Sequence, residues 1–244
     1  MELRDRTALV TGSALRIGRE ICLALAGRGA NVVINYRTSA EAAGKLVDEI
    51  AARGGAAIAL QGDVSRGDDV RRIRDHAAHR FGRIDALVNN ASIYPKTPLA
   101  TLTEEQWDES IAVNLKGPFL CCLEIGRHMI ASGGGAIVNL ADWAAYRPYA
   151  DYLPYLTAKG GIITMTMAFA RELAPTVRVN AIAPGPIAPP LDLSAAETEE
   201  ARAGTLLGRW GSPRDIAAAT LFLIEGSDFI TGAILPVDGG RLVA

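Results

Sequence analysis

Short runs of apolar, often β-branched residues alternate with longer helical patterns along nearly the whole chain of 244 residues. The runs predict seven strands, at Thr7–Val10, Asn31–Asn35, Ala56–Leu60, Ala86–Asn89, Ala136–Leu140, Val177–Ile182 and Ala233–Val237. The segments between them predict helices, at Arg16–Gly27, Ser39–Arg53, Asp68–Phe81, Thr103–Ala131, Tyr152–Ala174 and Ser212–Glu225. Such alternation implies right-handed crossovers and a parallel sheet covered by helices on both faces. We therefore expect one α/β domain over residues 1–244, with a doubly wound, seven-stranded sheet.

The composition excludes several other classes of protein. With 49% hydrophobic and 21% charged residues, the chain is not disordered, and its net charge of −2 does not indicate nucleic-acid binding. Cys22, Cys121 and Cys122 lack metal-ligand spacing and are typical of reduced core residues, so no metal is expected. No apolar run approaches the ~18 residues of a membrane span, and no signal peptide is visible. A cytoplasmic protein without membrane contact is the expectation.

Ligands of parallel sheets bind beyond the carboxyl ends of the strands, so the loops there carry the search for a site. Thr11–Gly18, a glycine-bearing turn before a helix, is typical of a pyrophosphate site. The turn after the second strand holds Arg37, Thr38 and Ser39 and has no acid before Glu41. A guanidinium and two hydroxyls there favour a ribose 2′-phosphate, and hence NADPH over NADH.

Tyr155 and Lys159 are four residues apart on a predicted helix and share one face. An ammonium beside a phenol lowers the phenol pKa from ~10 towards the working pH. The pair thus predicts a general acid at the carboxyl end of the fifth strand.

Together these pieces resemble the short-chain dehydrogenase/reductase family along nearly the whole chain. The matching segments are Thr11-Gly12 to Gly18, Asp63-Val64, Asn89-Asn90-Ala91, Asn114, Tyr155-x-x-x-Lys159, Pro184-Gly185 and Val237-Asp238-Gly239-Gly240. The resemblance implies a Rossmann-type domain, a homotetramer, Tyr155 as proton donor, Lys159 as its partner on the nicotinamide ribose, and Asn114 supporting a proton-relay water. The expected cofactor-binding residues are Gly12, Arg16, Ile17, Gly18, Tyr36, Arg37, Thr38, Ser39, Asp63, Val64, Asn90, Ala91, Ser92, Tyr155, Lys159, Pro184, Gly185 and Ile187.

Two departures from the family pattern point to the substrate. Arg16 stands where the family usually has glycine, and Asp142, thirteen residues before Tyr155, stands where it usually has serine. Both departures resemble pteridine reductases and dihydromonapterin reductases, which use NADPH and stack an aromatic residue on the pterin; Tyr94 holds that position. A carboxylate can accept from a pterin amino group and pass a proton through Tyr155. The predicted catalytic residues are thus Asp142, Tyr155, Lys159 and Asn114, and the substrate residues are Arg16, Ser92, Tyr94, Asp142 and Tyr155.

The sequence leaves some alternatives open. The segment from Pro189 to Leu206, with Leu191 and Leu193, is expected to be a substrate lid. The loop Pro184–Pro189 lacks the threonine that in the family often holds the nicotinamide carboxamide.

We expect an NADPH-dependent reductase of pterins. The alternatives are a carbonyl or 3-oxoacyl-thioester reductase of the same family and, as a different class, a non-catalytic NADP(H)-binding regulator.

Overall fold

One sheet of seven parallel strands forms the centre of the computed structural model, which describes residues 1–189 and 194–244. The strands are β1 (Thr7–Val10), β2 (Asn31–Tyr36), β3 (Ala57–Gln61), β4 (Ala86–Asn89), β5 (Gly135–Leu140), β6 (Val177–Pro184) and β7 (Ile234–Val237). Their order in the sheet is β3-β2-β1-β4-β5-β6-β7, and every neighbouring pair is parallel. The predicted fold class is thereby confirmed.

Helices cover both faces of the sheet. They are α1 (Arg16–Gly27), α2 (Ala40–Ala52), α3 (Gly67–Phe81), α4 (Glu104–Ile111), α5 (Gly117–Ala131), α6 (Leu153–Leu173), α7 (Ala195–Ala203) and α8 (Pro213–Leu221). Successive residues of a strand point to opposite faces. Ala8 and Val10 of β1 accordingly join the core formed with α1, α2 and α8, while Leu9 joins the core formed with α3, α5 and α6. The sheet is therefore buried on both sides, which is why its strands read as apolar runs.

The helix predicted from Thr103 to Ala131 is not continuous. It begins with a capping box at Thr103 and is interrupted by a five-residue π-helical segment, Ala112–Lys116, that separates α4 from α5. A second π-helical segment, Phe222–Gly226, follows α8 in the region predicted as one helix. Apolar periodicity detects that a helix is present but does not reveal one wider turn within it.

The direction in which successive strands are added to the sheet reverses between β3 and β4. After three strands progress to one edge, β4 returns to pair with β1 on its free side. The loops that follow β1 and β4 consequently diverge at the carboxyl edge, which is where open α/β sheets bind ligands. Among the helices of the described residues, none combines the length and the apolar composition that a membrane crossing requires.

Candidate active site

A cleft of about 1390 Å³ opens at the carboxyl edge of the sheet. All the residues predicted to contact cofactor or substrate line it: Gly12, Arg16, Ile17, Gly18, Tyr36, Arg37, Thr38, Ser39, Asp63, Val64, Asn90, Ala91, Ser92, Tyr94, Asp142, Tyr155, Lys159, Pro184, Gly185 and Ile187. Asn114, the other predicted catalytic residue, is fully buried and contacts the loop after β4. Within the described ranges, no group of three His, Cys, Asp or Glu side chains could hold a metal ion.

Packing between the turns after β1 and β4 shapes the first loop of the cleft, residues 11–18. Gly12 has φ +57°, and a Cβ there would stand 2.7 Å from the Cα of Ala91, so only glycine fits. The Asn90 side-chain amide donates to the carbonyls of Thr11 and Gly12, at 2.9 Å each. In the described part of the chain, the start of α1 has neither a side-chain cap nor an acidic residue in its first turn. Its free N–H groups and dipole fit the pyrophosphate of a dinucleotide.

Arg16 makes a contact that the sequence did not predict. We expected it to reach both pyrophosphate and substrate, yet its guanidinium donates to the carbonyl of Ala188 at 2.6 Å. Both residues have left-handed backbone conformations, with φ of +54° and +51°. Arg16 therefore joins the turn after β1 to the loop after β6, on two sides of the same cleft.

The turn after β2 offers donors suited to a 2′-phosphate. Arg37 is half exposed, and its guanidinium lies 3.9 Å from the carboxylate of Asp63, a long and weak ion pair. Ser39 occupies the N-cap position of α2, but its side chain makes no capping hydrogen bond within the described residues. A weakly paired guanidinium, together with the hydroxyls of Thr38 and Ser39, fits the additional phosphate of NADPH.

Three side chains form the centre of the cleft. The phenol of Tyr155 donates to Oδ2 of Asp142 at 2.6 Å, and the Ala144 N–H donates to Oδ1 of Asp142 at 2.9 Å. The ammonium of Lys159 donates to the carbonyl of Leu140 at 2.7 Å and lies 5.5 Å from the ring centroid of Tyr155. The carboxyl end of β5 and the first two turns of α6 thus bring together the residues that the sequence singled out.

The expected effect of Lys159 on Tyr155 is wrong for the free protein. Burial raises the pKa of Tyr155 well above its ordinary value, and the charge and hydrogen bond of Asp142 raise it further. Burial also raises the pKa of Asp142 and lowers the pKa of Lys159 to about 8. The carboxylate accepts the hydrogen bond of the phenol, so Tyr155 stays protonated. A protonated phenol is the form that a proton donor requires.

The pKa of Lys159 predicts how activity depends on pH. Because its ammonium is lost as the pH rises through about 8, we expect kcat/KM for reduction to fall over that interval while Tyr155 remains protonated. A pH profile of the wild-type protein and of Lys159→Met, which cannot titrate, measures the effect. The variant should be slower and should show no inflection near pH 8. The same inflection in the variant would assign it to another group.

Asn114 lies within the π-helical segment and holds the loop after β4. Its Oδ1 accepts from the Ser92 hydroxyl at 2.8 Å and from the Ile93 N–H at 2.9 Å. Its Nδ2 donates to the carbonyl of Ile93 at 3.0 Å and to the Ser110 hydroxyl at 3.1 Å. These contacts position the Ser92 side of the cleft, while the relay role implied by the resemblance stays a prediction.

Aromatic rings form the wall next to Tyr155. Tyr94 stacks on Tyr152 with centroids 4.2 Å apart and planes 10° apart, and its hydroxyl hydrogen-bonds that of Tyr149 at 2.8 Å. The Tyr94 ring also meets Tyr155 edge-on at 4.7 Å. One face of Tyr94 is therefore occupied by Tyr152, so a planar substrate would have to use another face of this wall.

The described part of the predicted lid includes α7. Glu197, Glu200 and Gly204 line the cleft, and both glutamates are exposed to solvent. Residues 190–193, which include Leu191 and Leu193, lie outside the described residues. The sequence reasoning also missed Lys96, Trp210 and Arg241, which line the cleft from loops. The one feature of the sequence that could have indicated Arg241 as a cleft residue is its position directly after the matched segment Val237–Gly240.

Comparison with known proteins relates the whole chain to one group of enzymes. A family model described as enoyl-(acyl carrier protein) reductase matches residues 12–241. The chain is 37% identical over 242 residues to the 3-oxoacyl-[acyl-carrier-protein] reductase FabG of Staphylococcus epidermidis, covering 97% of this chain and 98% of that protein. It is 40% identical over 245 residues to BbsD of Thauera aromatica, a (2S)-[(R)-hydroxy(phenyl)methyl]succinyl-CoA dehydrogenase subunit, covering 99% and 98%.

A solved structure gives the same result for the fold. The gluconate 5-dehydrogenase of Burkholderia cenocepacia, in complex with NADP and tartrate, superposes with a TM-score of 0.93 at 34% identity. The match covers 100% of this chain and 97% of that one.

Proposed function

The chain belongs to the short-chain dehydrogenase/reductase family, and on that basis we propose that it is an NADPH-dependent reductase with Tyr155 as its proton donor. The observation that carries this proposal is the hydrogen bond from Tyr155 to Asp142 in the cleft, with Lys159 one helical turn further along α6. The homotetramer implied by the resemblance stays a prediction.

The residues of this chain divide the work of reduction between them. NADPH, when bound, supplies the hydride. The start of α1 would hold its pyrophosphate, Arg37 its 2′-phosphate and Lys159 its nicotinamide ribose. Tyr155 gives its proton to the substrate atom that becomes electron-rich, and the Lys159 ammonium stabilises the phenolate left behind. Asn114 keeps the opposite wall in place.

For the substrate, the named relatives favour a 3-oxoacyl thioester. Both are named for thioesters: one carried by acyl carrier protein, the other by CoA. Neither they nor the solved structure named above is called a pteridine reductase, so pterin specificity has no support from them. We therefore propose reduction of the keto group of a 3-oxoacyl thioester as the first activity to measure.

A pterin is the second candidate, and Asp142 is the observation that favours it. Tyr155 donates to this carboxylate, so in the free protein the phenolic proton points at Asp142. A negative charge there repels the charge that grows on a carbonyl oxygen during reduction, whereas it can accept a hydrogen bond from an amino group or a ring N–H. A substrate whose ring nitrogens are protonated suits this geometry.

Replacing Asp142 with serine separates the two substrates. The hydroxyl removes the repulsive charge, so kcat/KM for acetoacetyl-N-acetylcysteamine should rise. Dihydrobiopterin loses a charged hydrogen bond worth ~1.5–3 kcal/mol, so its kcat/KM should fall by at least ~10-fold. The measurement is NADPH consumption with each substrate, for the wild-type protein and for Asp142→Ser.

The wild-type values decide which candidate is the better substrate. Asp75→Ser, an exposed aspartate of α3, is the matched control and should leave the ratio of the two efficiencies as it is in the wild type. If Asp142→Ser reduces dihydrobiopterin as well as the wild type does, Asp142 has no part in pterin binding. Absence of NADPH consumption with both substrates in the wild type would refute the proposed activity.

A further inference from the structure

Of the described residues, six cationic side chains line the cleft: three donate hydrogen bonds to carbonyl oxygens, and two make long, weak ion pairs. Arg16 donates to the Ala188 carbonyl, Lys159 to the Leu140 carbonyl, and Arg147 to the carbonyls of Arg241, Leu242 and Ala244. Arg37 and Lys96 lie 3.9 and 3.7 Å from the carboxylates of Asp63 and Asp151. Within residues 1–189 and 194–244, the guanidinium of Arg241 is the exception, since it has neither a hydrogen bond nor an ion pair.

Arg241 is nevertheless held in a defined place. Its guanidinium carbon stands 5.1 Å above the ring of Trp143, the residue that directly follows Asp142. It also lies against Gly204 at the end of α7, in the space that a Cβ at that position would fill. Arg147 holds the backbone of the same segment through the carbonyl of Arg241 at 3.2 Å and that of Ala244 at 2.6 Å. In the part of the chain that the structure describes, packing and backbone contacts position this cation, and no counter-ion does.

Stacking on an indole leaves the donors of a guanidinium available. The ring contacts the flat face of the guanidinium, while the N–H groups lie in its plane and point outward. Those N–H groups match the two oxygens of a carboxylate or phosphate. The acids of α7 that line the cleft are Glu197 and Glu200, and Glu197 accepts hydrogen bonds from the N–H and the hydroxyl of Ser194.

The position of Arg241 also relates it to the reacting centre. Trp143 contacts Tyr149 at 6.2 Å between centroids, Tyr149 hydrogen-bonds Tyr94, and Tyr94 meets Tyr155. The aromatic wall thus runs from the proton donor to the cation. A substrate whose reducible bond is at Tyr155 can lie along this wall and reach Arg241 with a charged group.

We propose that Arg241, stacked on Trp143, binds an anionic group of the substrate, a carboxylate or a phosphate, beside the aromatic wall that leads to Tyr155. This inference rests on the proposed reductase activity and makes Arg241 a determinant of specificity. The anion can belong to the phosphopantetheine arm of a thioester or to the carboxylate tail of a folate-type pterin.

Two substrate pairs that differ in charge test the proposal. Acetoacetyl-CoA carries phosphates and acetoacetyl-N-acetylcysteamine carries none; dihydrofolate carries carboxylates and dihydrobiopterin carries none. We expect Arg241→Gln to lower the ratio of kcat/KM for charged over neutral substrate by about 10- to 30-fold in one pair, through KM. The pair that responds identifies the source of the anion. Arg241→Lys, which keeps the charge and loses the planar fork, should lie between.

Two further variants test the geometry. Gly204→Ala places a Cβ where the guanidinium of Arg241 lies. The backbone tolerates the change, because φ at Gly204 is −78°. This variant should lower the ratio of kcat/KM for charged over neutral substrate although the charge of Arg241 is still present. Arg214→Gln, an arginine whose side chain is 89% exposed on α8, is the matched control and should leave the ratio unchanged. Equal effects of Arg241→Gln on both members of each pair, or no effect on either, would overturn the proposal.

A binding measurement separates failure of this inference from failure of the proposed function. Calorimetric titration of the NADP⁺-loaded protein with folate and with butyryl-CoA requires no turnover. If the wild type reduces none of the four substrates but binds one of these ligands more tightly than Arg241→Gln does, the reductase proposal fails and the anion site stands. If the wild type is active and Arg241→Gln retains both the ratio and the binding affinity, the anion site is refuted.

Discussion

Replacing Tyr155 with phenylalanine should lower kcat for reduction by about 10²- to 10⁴-fold, the usual contribution of a general acid. The ring stays, so its edge contact with Tyr94 is preserved, while the hydroxyl that donates to Asp142 is lost. NADPH should still bind, because Lys159 and the first loop are unchanged. Single-turnover rates at saturating NADPH, with the NADPH dissociation constant measured separately, would show the loss in the chemical step and not in cofactor binding.

The control for this variant removes the hydroxyl of a different tyrosine. Tyr146 is 45% exposed and, like Tyr155, comes after β5 in the chain, so Tyr146→Phe should retain wild-type turnover. Near-full turnover of Tyr155→Phe would show that another group donates the proton and would leave Tyr155 a packing role. If the protein also kept its biological effect without Tyr155, the alternative of a non-catalytic NADP(H)-binding regulator would regain support.

Replacing Arg37 with aspartate should lower the preference for NADPH over NADH by about 30-fold or more. The variant removes a charged hydrogen bond to the 2′-phosphate and adds a repulsive charge, which together cost at least ~2 kcal/mol. Arg37 is half exposed, so solvent screens part of the repulsion and the hydrogen bond carries most of the effect. The measurement is kcat/KM for each cofactor at a fixed concentration of substrate.

NADH serves as the internal reference for that experiment, because it lacks the phosphate. Arg53→Asp makes the same change of charge at the far end of α2, where Arg53 pairs with Glu49, and should preserve the cofactor preference. Equal efficiency with the two cofactors in the wild type would contradict the assignment of Arg37 to a 2′-phosphate.

The sheet and most of its helices could be predicted because their signals are local. β1, β4 and α1 begin and end at the predicted residues. A strand buried on both faces is a short apolar run, and a helix against a sheet has a periodic apolar face. Some residues of the cleft, such as Arg37 and Tyr155, followed from the same logic, because they lie just beyond the carboxyl end of a strand or on the helix that follows it. Others, such as Asp142 and Asn114, were indicated by the resemblance to the family.

What the sequence could not predict depends on contacts between distant segments. The hydrogen bond from Arg16 to Ala188 joins residues 172 positions apart, and no local pattern indicates it. The raised pKa of Tyr155 has the same origin, because it comes from burial and from a carboxylate thirteen residues away. Arg241 reaches Trp143 from the end of the last matched segment, so its place in the cleft needed the fold.

The π-helical segment at Ala112–Lys116 has a consequence for comparing and altering the length of related chains. An α-helix turns about 100° with each residue, so one residue more or fewer here rotates everything that follows. With the present length, Asn114 faces the loop after β4 while Cys122, Ile125 and Met129 of α5 are buried. Removing one residue would turn that apolar stripe towards solvent. A gap within this segment of an alignment therefore signals a repacked layer of the core, and the number of residues between α4 and the carboxyl half of α5 carries as much information as their identity.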